Sequence, residues 1–461
     1  MPPVNMVVAT QTPLLRFDDK GTTPGPAGDG YPPHRMSPGG VCRMVLPTIQ
    51  QLRGAGFAGK VDWYSLNPGA PVKVSLDDGQ TNLHHLQMKP DDLESYGRSK
   101  EKLWADIHGL PHPPLQAEDF RQYARYNART ADAMLEHAGD LELAYIHDFQ
   151  LMQVGSLVGL AAPCVLRWHV PFDPHRMPAY TRQFLLRVME DFDSVIVSTR
   201  RDLQGLVDAG FHGKVRQLYP HIEPNDWPTP QAGEVARLEE MWDLRPDDPL
   251  LLMVARMDPM KRHDLAVRAF ARIVRKHPRA RLALVGNGSF SGRLGSSVGP
   301  GKADLWRAEV QAIAAELGVS DAIRFAHWVP DGLLGAAYSR AAAVLLPSDI
   351  EGFGLTPLEG WTYGRPCIVS DGIGAAEIVT NAVSGLVFPA GDAAALADCM
   401  DRILSDPEGA DRMGEVGKAT LPNYTAETSV PRVQPVLEEA LAGFRREQAA
   451  LQPIVDAVAG P

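Results

Sequence analysis

Residues 250–285 read LLLMVARMDPMKRHDLAVRAFARIVRKHPRARLALV. Apolar runs at 250–255 and 281–285 are short enough for strands, and the segment between them, 263–276, has helix length and helical periodicity. Strand, helix and strand in that order form a crossover unit, which requires a parallel sheet covered by helices. The same alternation continues outward. Strands are expected at 323–325, 343–346, 367–370 and 385–388, with helices at 303–317, 331–340 and 393–404. The second half of the chain therefore reads as a doubly wound α/β domain.

The first half repeats the scheme less regularly, with strands expected at 7–9, 143–147, 165–169, 195–198 and 215–218. Residues 58–90 read as a β-rich insertion, because the extended runs there have no helix between them. Prolines 220, 224, 228 and 230 mark residues 219–230 as the interdomain linker, since no helix or central strand tolerates that density. This gives three expected parts: an N-terminal domain over 1–222, a C-terminal domain over 223–425 and a helical segment over 426–461 that packs back on the first. Within the last part residues 430–449 read as one helix. Residues 287–302, rich in Gly and Ser, exceed the length of an ordinary turn and are expected to move.

A chain of 461 residues with 44% hydrophobic and 22% charged side chains can fill two cores, and it excludes a disordered, fibrous or coiled-coil protein. The net charge of −11 argues against a protein that works by gripping nucleic acid or an anionic membrane. Most of that acidity lies after residue 222. Four scattered cysteines give neither a disulfide framework nor a zinc motif. With no secretion signal and no run long enough to span a membrane, a cytoplasmic location is expected. Neither a Gly-x-Gly-x-x-Gly fingerprint nor a Gly-x4-Gly-Lys-Ser/Thr loop occurs, which disfavours NAD binding and excludes a P-loop NTPase.

Two motifs follow strands of the second domain, where open α/β sheets bind ligands. Arg256-Met-Asp-Pro-Met-Lys261 offers a planar fork and a point charge suited to a diphosphate. Taken alone it also reads as a surface pair flanking a helix start. Glu351-Gly-Phe-Gly-Leu-Thr-Pro-Leu-Glu359 offers two carboxylates able to accept hydroxyl hydrogen bonds, with glycines that let backbone approach a ligand. In the first domain Gly39-Gly40 opens a helix and can present N–H groups to an anion. His147-Asp148 and Arg167-Trp168-His169 end two strands, positions that are as often structural as functional.

Taken together these residues resemble the retaining glycosyltransferases of the GT-B architecture, family 4: two Rossmann-like doubly wound domains facing across a cleft. The resemblance implies that Arg256 and Lys261 bind a donor diphosphate, Glu359 the nucleotide ribose and Glu351 the transferred sugar. Gly39, Gly40 and the N–H groups of Phe353, Gly354 and Leu355 would lie close to the same donor. The first half is similar to trehalose-6-phosphate synthases and related trehalose-forming transferases through His147-Asp148-Phe-Gln-Leu151, His169-Val-Pro-Phe172 and Leu103-Trp104 with His108. That likeness assigns Tyr96, Trp104, His147 and Asp148 to an acceptor and His169 to the transferred sugar.

The strand-end Arg that holds the acceptor's phosphate in such synthases is absent from Val7-Val8-Ala9-Thr10-Gln11, with Arg35, Arg98 and Lys100 as substitutes. The resemblance thus implies a hexose, glucose first, moved from a nucleoside diphosphate sugar to a small soluble acceptor such as glucose or a sugar phosphate, as a trehalose-type α-glycoside. The nucleotide sugar is the co-substrate, and no metal or other cofactor is expected. Partners are the two substrates, without nucleic acid or membrane span, and a homo-oligomer stays open. Domain closure about 219–230 is expected, since the two sets of motifs lie on different halves. Alternatives are a phosphorylase or sugar-nucleotide epimerase of the same architecture, a glycolipid- or polysaccharide-forming transferase, and a nucleotide-sugar-binding protein without catalysis.

Overall fold

The computed structural model describes residues 2–17, 34–37, 40–227, 229–287, 302–327 and 329–459. It divides into two compact units: residues 1–219 with 426–461, and residues 220–425. The chain thus passes between units twice, and the backbones beside the two passages meet, with Ile222 bridging Thr425 and donating its N–H to the Tyr424 carbonyl at 3.0 Å.

In the first unit the strands in chain order are β1 (Val4–Thr10), β2 (Leu15–Phe17), β3 (His34–Met36), β4 (Ala58–Leu66), β5 (Lys73–Leu76), β6 (Thr81–Leu86), β7 (Leu143–His147), β8 (Cys164–Arg167), β9 (Ser194–Val197) and β10 (Val215–Gln217). Among the described residues eight of them form one sheet in the order β10-β9-β8-β7-β1-β4-β6-β5, and β2 pairs with β3 apart from it. All pairings in the large sheet are parallel except β5 with β6. The stretch read as a β-rich insertion is therefore one edge of the main sheet. The central strands are apolar on both faces, as helices on both sides require. One face is covered by helix Gly40–Gly54 and by the C-terminal helix Ala426–Ala459. Cys42, Val45, Ile49 and Leu52 of the former and Val430, Val433, Leu437 and Leu441 of the latter share a core with Val8, Val61 and Trp63. Three- and four-residue spacing places each set on a single helical stripe.

In the second unit the strands are β11 (Leu250–Val254), β12 (Arg281–Val285), β13 (Ile323–Ala326), β14 (Ala341–Leu346), β15 (Cys367–Ser370) and β16 (Gly385–Phe388). They form an all-parallel sheet in the order β13-β12-β11-β14-β15-β16. The strand order reverses between β11 and β14, so a crevice opens there beyond their carboxyl ends. Helices His263–Ile273 and Ala393–Ser405 pack on the sheet, sharing Phe270, Ile273, Leu396 and Met400 with Leu251 and Leu345.

Helix Pro407–Thr420 packs against the fully buried Trp361, whose indole N–H donates to the Ser384 carbonyl at 3.0 Å. Gly417 makes that approach possible, because a Cβ there would stand 2.3 Å from the ring. In an exposed helix Gly→Ala gains up to about 1 kcal/mol. Here overpacking outweighs the gain, and Gly417→Ala is expected to destabilise the unit by about 1–3 kcal/mol. A urea titration checks this; a variant as stable as the parent would show that the ring yields.

Candidate functional site

The carboxyl ends of β11 and β14 release the two loops that hold the charged motifs. After β11, Arg256 is exposed while Met257 is buried and donates its N–H to the Asn287 carbonyl at 3.0 Å. The Asp258 side chain accepts from the Met260 N–H at 3.0 Å and starts a single 3₁₀ turn over Pro259–Lys261. Arg262 then takes the left-handed conformation, φ 59°, before helix His263–Ile273 begins. Beside this loop, at the end of β12, Gly286 has φ 153°, and a Cβ there would lie 1.8 Å from the Ala255 carbonyl oxygen. Only glycine allows the two strand ends to meet so closely.

After β14, Glu351 turns back on the first loop. Its Oε1 lies 2.7 Å from Lys261 Nζ, with the two side chains 14% and 15% exposed. The Ser348 hydroxyl donates to the same oxygen, and the Ser348 carbonyl accepts from the Ser370 hydroxyl. Burial alone would raise the Glu351 pKa; Lys261, Ser348 and the nearby Arg256 charge together hold it below the ordinary carboxylate value. Glu351 is an anion at neutral pH. Gly354, φ 88°, sits where a Cβ would meet the Leu346 side chain at 2.6 Å. Phe353 is buried, and its carbonyl accepts the Ala375 N–H at 2.8 Å. Leu355 immediately precedes helix Thr356–Thr362. Glu359 lies in the first turn of that helix and accepts the Tyr338 hydroxyl.

The structure thus brings Arg256, Lys261 and Glu351 together, with Phe353, Gly354 and Leu355 on the loop that follows. Gly39 and residues 288–301 lie outside the described residues, and Gly40 is the first residue of helix Gly40–Gly54 in the first unit.

In that first unit β7 and β8 are neighbours, so the residues after them converge. His147 Nδ1 and His169 Nε2 share a hydrogen bond of 3.0 Å, with the rings stacked at 10°. Burial, and then the charge of Arg167, lowers the His147 pKa to about 3. Burial, His147 and Arg167 likewise lower that of His169. The pair is neutral at ordinary pH. Asp148 also has a positive φ, 70°, with ψ 174°, and accepts the His169 N–H at 3.4 Å. Burial raises its pKa to about 7 against the opposing backbone N–H groups of Phe149, His169 and Val170.

Trp104 is half-buried against His108, whose Nδ1–H donates to the Trp104 carbonyl at 2.7 Å. Tyr96 lies on helix Pro90–Ile107. It is 1% exposed and packed 4.7 Å from the Tyr126 ring, because its position there faces helix Ala117–Leu135. Arg98 is held by Asp119 at 2.8 Å and Glu94 at 3.0 Å, and Lys100 is buried, so neither is presented as a free phosphate ligand.

Residues 236–420 match the family model described as glycosyl transferases group 1. The matched residues lie within the second unit. A D-inositol 3-phosphate glycosyltransferase of Frankia alni is 35% identical over 199 residues, 42% of this chain and 46% of that protein. One from Kribbella flavida is 26% identical over 386 residues, 82% of this chain and 85% of that protein. The chain therefore spans about half of the first relative and most of the second. Among solved structures, the sucrose-phosphate synthase of Thermosynechococcus elongatus superposes with a TM-score of 0.71 at 21% identity, over 95% of this chain and all of that one. The α,α-trehalose 6-phosphate synthase of Burkholderia multivorans gives 0.73 at 18% identity, over 96% and 100%. The fold of the chain is GT-B.

Sequence reasoning passed over several residues that build the candidate site. Ser348, three residues before Glu351, had a local signal. Tyr338, Asp349 and Arg262 had none, because their partners are distant in the chain.

The Asp148 pKa gives a prediction with a defined sign. A folded-state value near 7 means that between about pH 4 and 7 the folded chain holds a proton that the unfolded chain has released. This contribution to stability is present at low pH and lost as pH rises through 7. Carbon-13 NMR of labelled aspartates should show one carboxyl titrating near 7 that disappears in Asp148→Asn; a full set of ordinary midpoints would contradict it.

Proposed function

We propose that the chain is a retaining hexosyltransferase that moves a hexose, glucose foremost, from a nucleoside diphosphate sugar to a hydroxyl of a small polyhydroxylated acceptor. One observation carries this reading: a withdrawn Lys261–Glu351 pair with Arg256 beside it, at the switch point of a parallel sheet. Breaking the bond between the sugar's anomeric carbon and the diphosphate oxygen leaves negative charge on the departing group. Lys261 and Arg256 neutralise it there, and a preorganised charge in a dry site supplies about 2–4 kcal/mol of transition-state stabilisation. Glu351, held anionic, accepts hydroxyl hydrogen bonds from the sugar, and Glu359 those of the ribose. Phe353, Gly354 and Leu355 approach the donor through backbone.

On the acceptor side Asp148, His147 and Trp104 receive the hydroxyl compound, and His169 faces the transferred sugar. The acceptor oxygen bonds to the anomeric carbon on the face that the diphosphate leaves, and a diphosphate oxygen takes the acceptor proton, which preserves the α configuration. Glucose or a sugar phosphate as acceptor yields a trehalose-type glycoside. The names of the curated relatives favour a second acceptor, inositol 3-phosphate.

Incubation with UDP-, ADP- and GDP-linked glucose and mannose against glucose, glucose 6-phosphate, inositol 3-phosphate and glycerate, read by mass, is expected to yield one glycosylated product. Transfer with no pair, or release that depends on added phosphate, would overturn the reading. Lys261→Ala should lower turnover about a hundredfold or more; near-normal turnover would remove Lys261 from the diphosphate. Because the chain supplies both cations, turnover is expected to persist in EDTA, and its loss, restored by a divalent metal, would contradict that assignment.

A further inference from the structure

Arg262 sits between two carboxylates. Its Nε and Nη2 reach Asp264 Oδ1 and Oδ2 at 3.0 and 3.2 Å, and its Nη1 reaches Asp349 Oδ1 at 2.7 Å. Asp264 belongs to the helix that follows Lys261, whereas Asp349 lies on the loop after β14, two residues before Glu351. A backbone bond joins the same two loops, from the Asp349 N–H to the Met260 carbonyl at 3.1 Å. The Arg262 backbone is left-handed, φ 59°, a conformation strained for a non-glycine residue that persists only where surrounding contacts fix it. Here the two carboxylates supply that fixation.

We infer that Arg262 and Asp349 are positioning residues, a clasp that holds the Lys261 loop against the Glu351 loop and so sets affinity for the phosphates of a nucleoside diphosphate. The inference rests on the donor site proposed above and adds to it two residues that lie behind the cations. Lys261 swings on a flexible stem, so its reach to an anion depends on where its backbone is held. The clasp fixes that backbone on the side opposite the Pro259–Lys261 turn's own cap, the Asp258 carboxylate. Its effect falls on groups that Lys261 meets, the phosphates, and leaves the base and ribose contacts on other elements untouched.

Calorimetric titration of the full chain with UDP, GDP and ADP, each beside its monophosphate, tests this. Asp349→Asn keeps the shape and removes the charge. It is expected to weaken the best-binding diphosphate about fivefold, the upper range for a half-exposed ion pair, with the monophosphate unchanged. Asp349→Glu, which keeps the charge, should return affinity toward the parent value. Arg262→Gln loses both pairs and should weaken the diphosphate further. Unchanged diphosphate affinity in Asp349→Asn overturns the clasp, as does equal loss for diphosphate and monophosphate, which would mark general loosening. A lowered melting temperature with intact binding overturns it as well. If the unaltered chain binds none of the three diphosphates, the proposed function fails and the clasp with it, an outcome distinct from failure of the clasp alone.

Discussion

A single ion pair organises the second unit: Lys261 Nζ against Glu351 Oε1, 2.7 Å apart and largely withdrawn from water. Opposite charges so placed are tolerated only when their desolvation is offset by close geometry and further hydrogen bonds, and removal of one partner leaves the other uncompensated. The surrounding loops meet that demand. Ser348 adds a donor to Glu351 and is itself fixed by Ser370. Gly286 and Gly354 allow backbone and apolar side chains to close on the loops at distances that a Cβ would forbid. Because β11 and β14 are adjacent and parallel, residues ninety positions apart leave the sheet side by side. The fold exists in this respect to bring two short loops together.

The motif residues that follow the strands of the two units differ in electrostatic character. In the second unit charges are kept: Glu351 stays anionic and Lys261 lies against it. In the first, burial strips charge away, with His147 held neutral down to about pH 3 and the Asp148 carboxyl raised to about 7. A charged site suits an anionic group and a neutral hydrogen-bonding site suits hydroxyls, which is the division of labour that the proposed reaction needs. It also bears on net charge. The second half is the more acidic one, yet two of its cations stand where the loops meet.

Much of this was legible in the chain because parallel buried strands are short and almost wholly apolar. The runs at 281–285, 367–370 and 385–388 coincide with β12, β15 and β16 end to end. Helix ends were less legible. The periodic segment 263–276 stops at Ile273 in the structure, and the C-terminal helix extends well beyond 430–449 at both ends. Helix Pro407–Thr420 escaped notice because Gly409, Gly414 and Gly417 are poor helix formers; Gly417 packs on Trp361, Gly414 on the Gly364 backbone and Gly409 against the Asp406 cap. Of the site residues, Lys261 and Glu351 could be brought together by reasoning since each follows a strand of one sheet. The burial of Tyr96 was not legible, because its helix face is set by helix Ala117–Leu135, which no local motif announces. The Arg262–Asp349 bond depends on tertiary register alone.

The central claim is that the junction of β11 and β14 seats the diphosphate of an activated sugar. A crystal structure grown with the nucleoside diphosphate that binds best measures this directly. The account predicts phosphate oxygens within hydrogen-bonding distance of Lys261 Nζ and the Arg256 guanidinium, with Glu351 beside them. Phosphates bound elsewhere on the chain, with the Lys261–Glu351 pair undisturbed and distant, would contradict it.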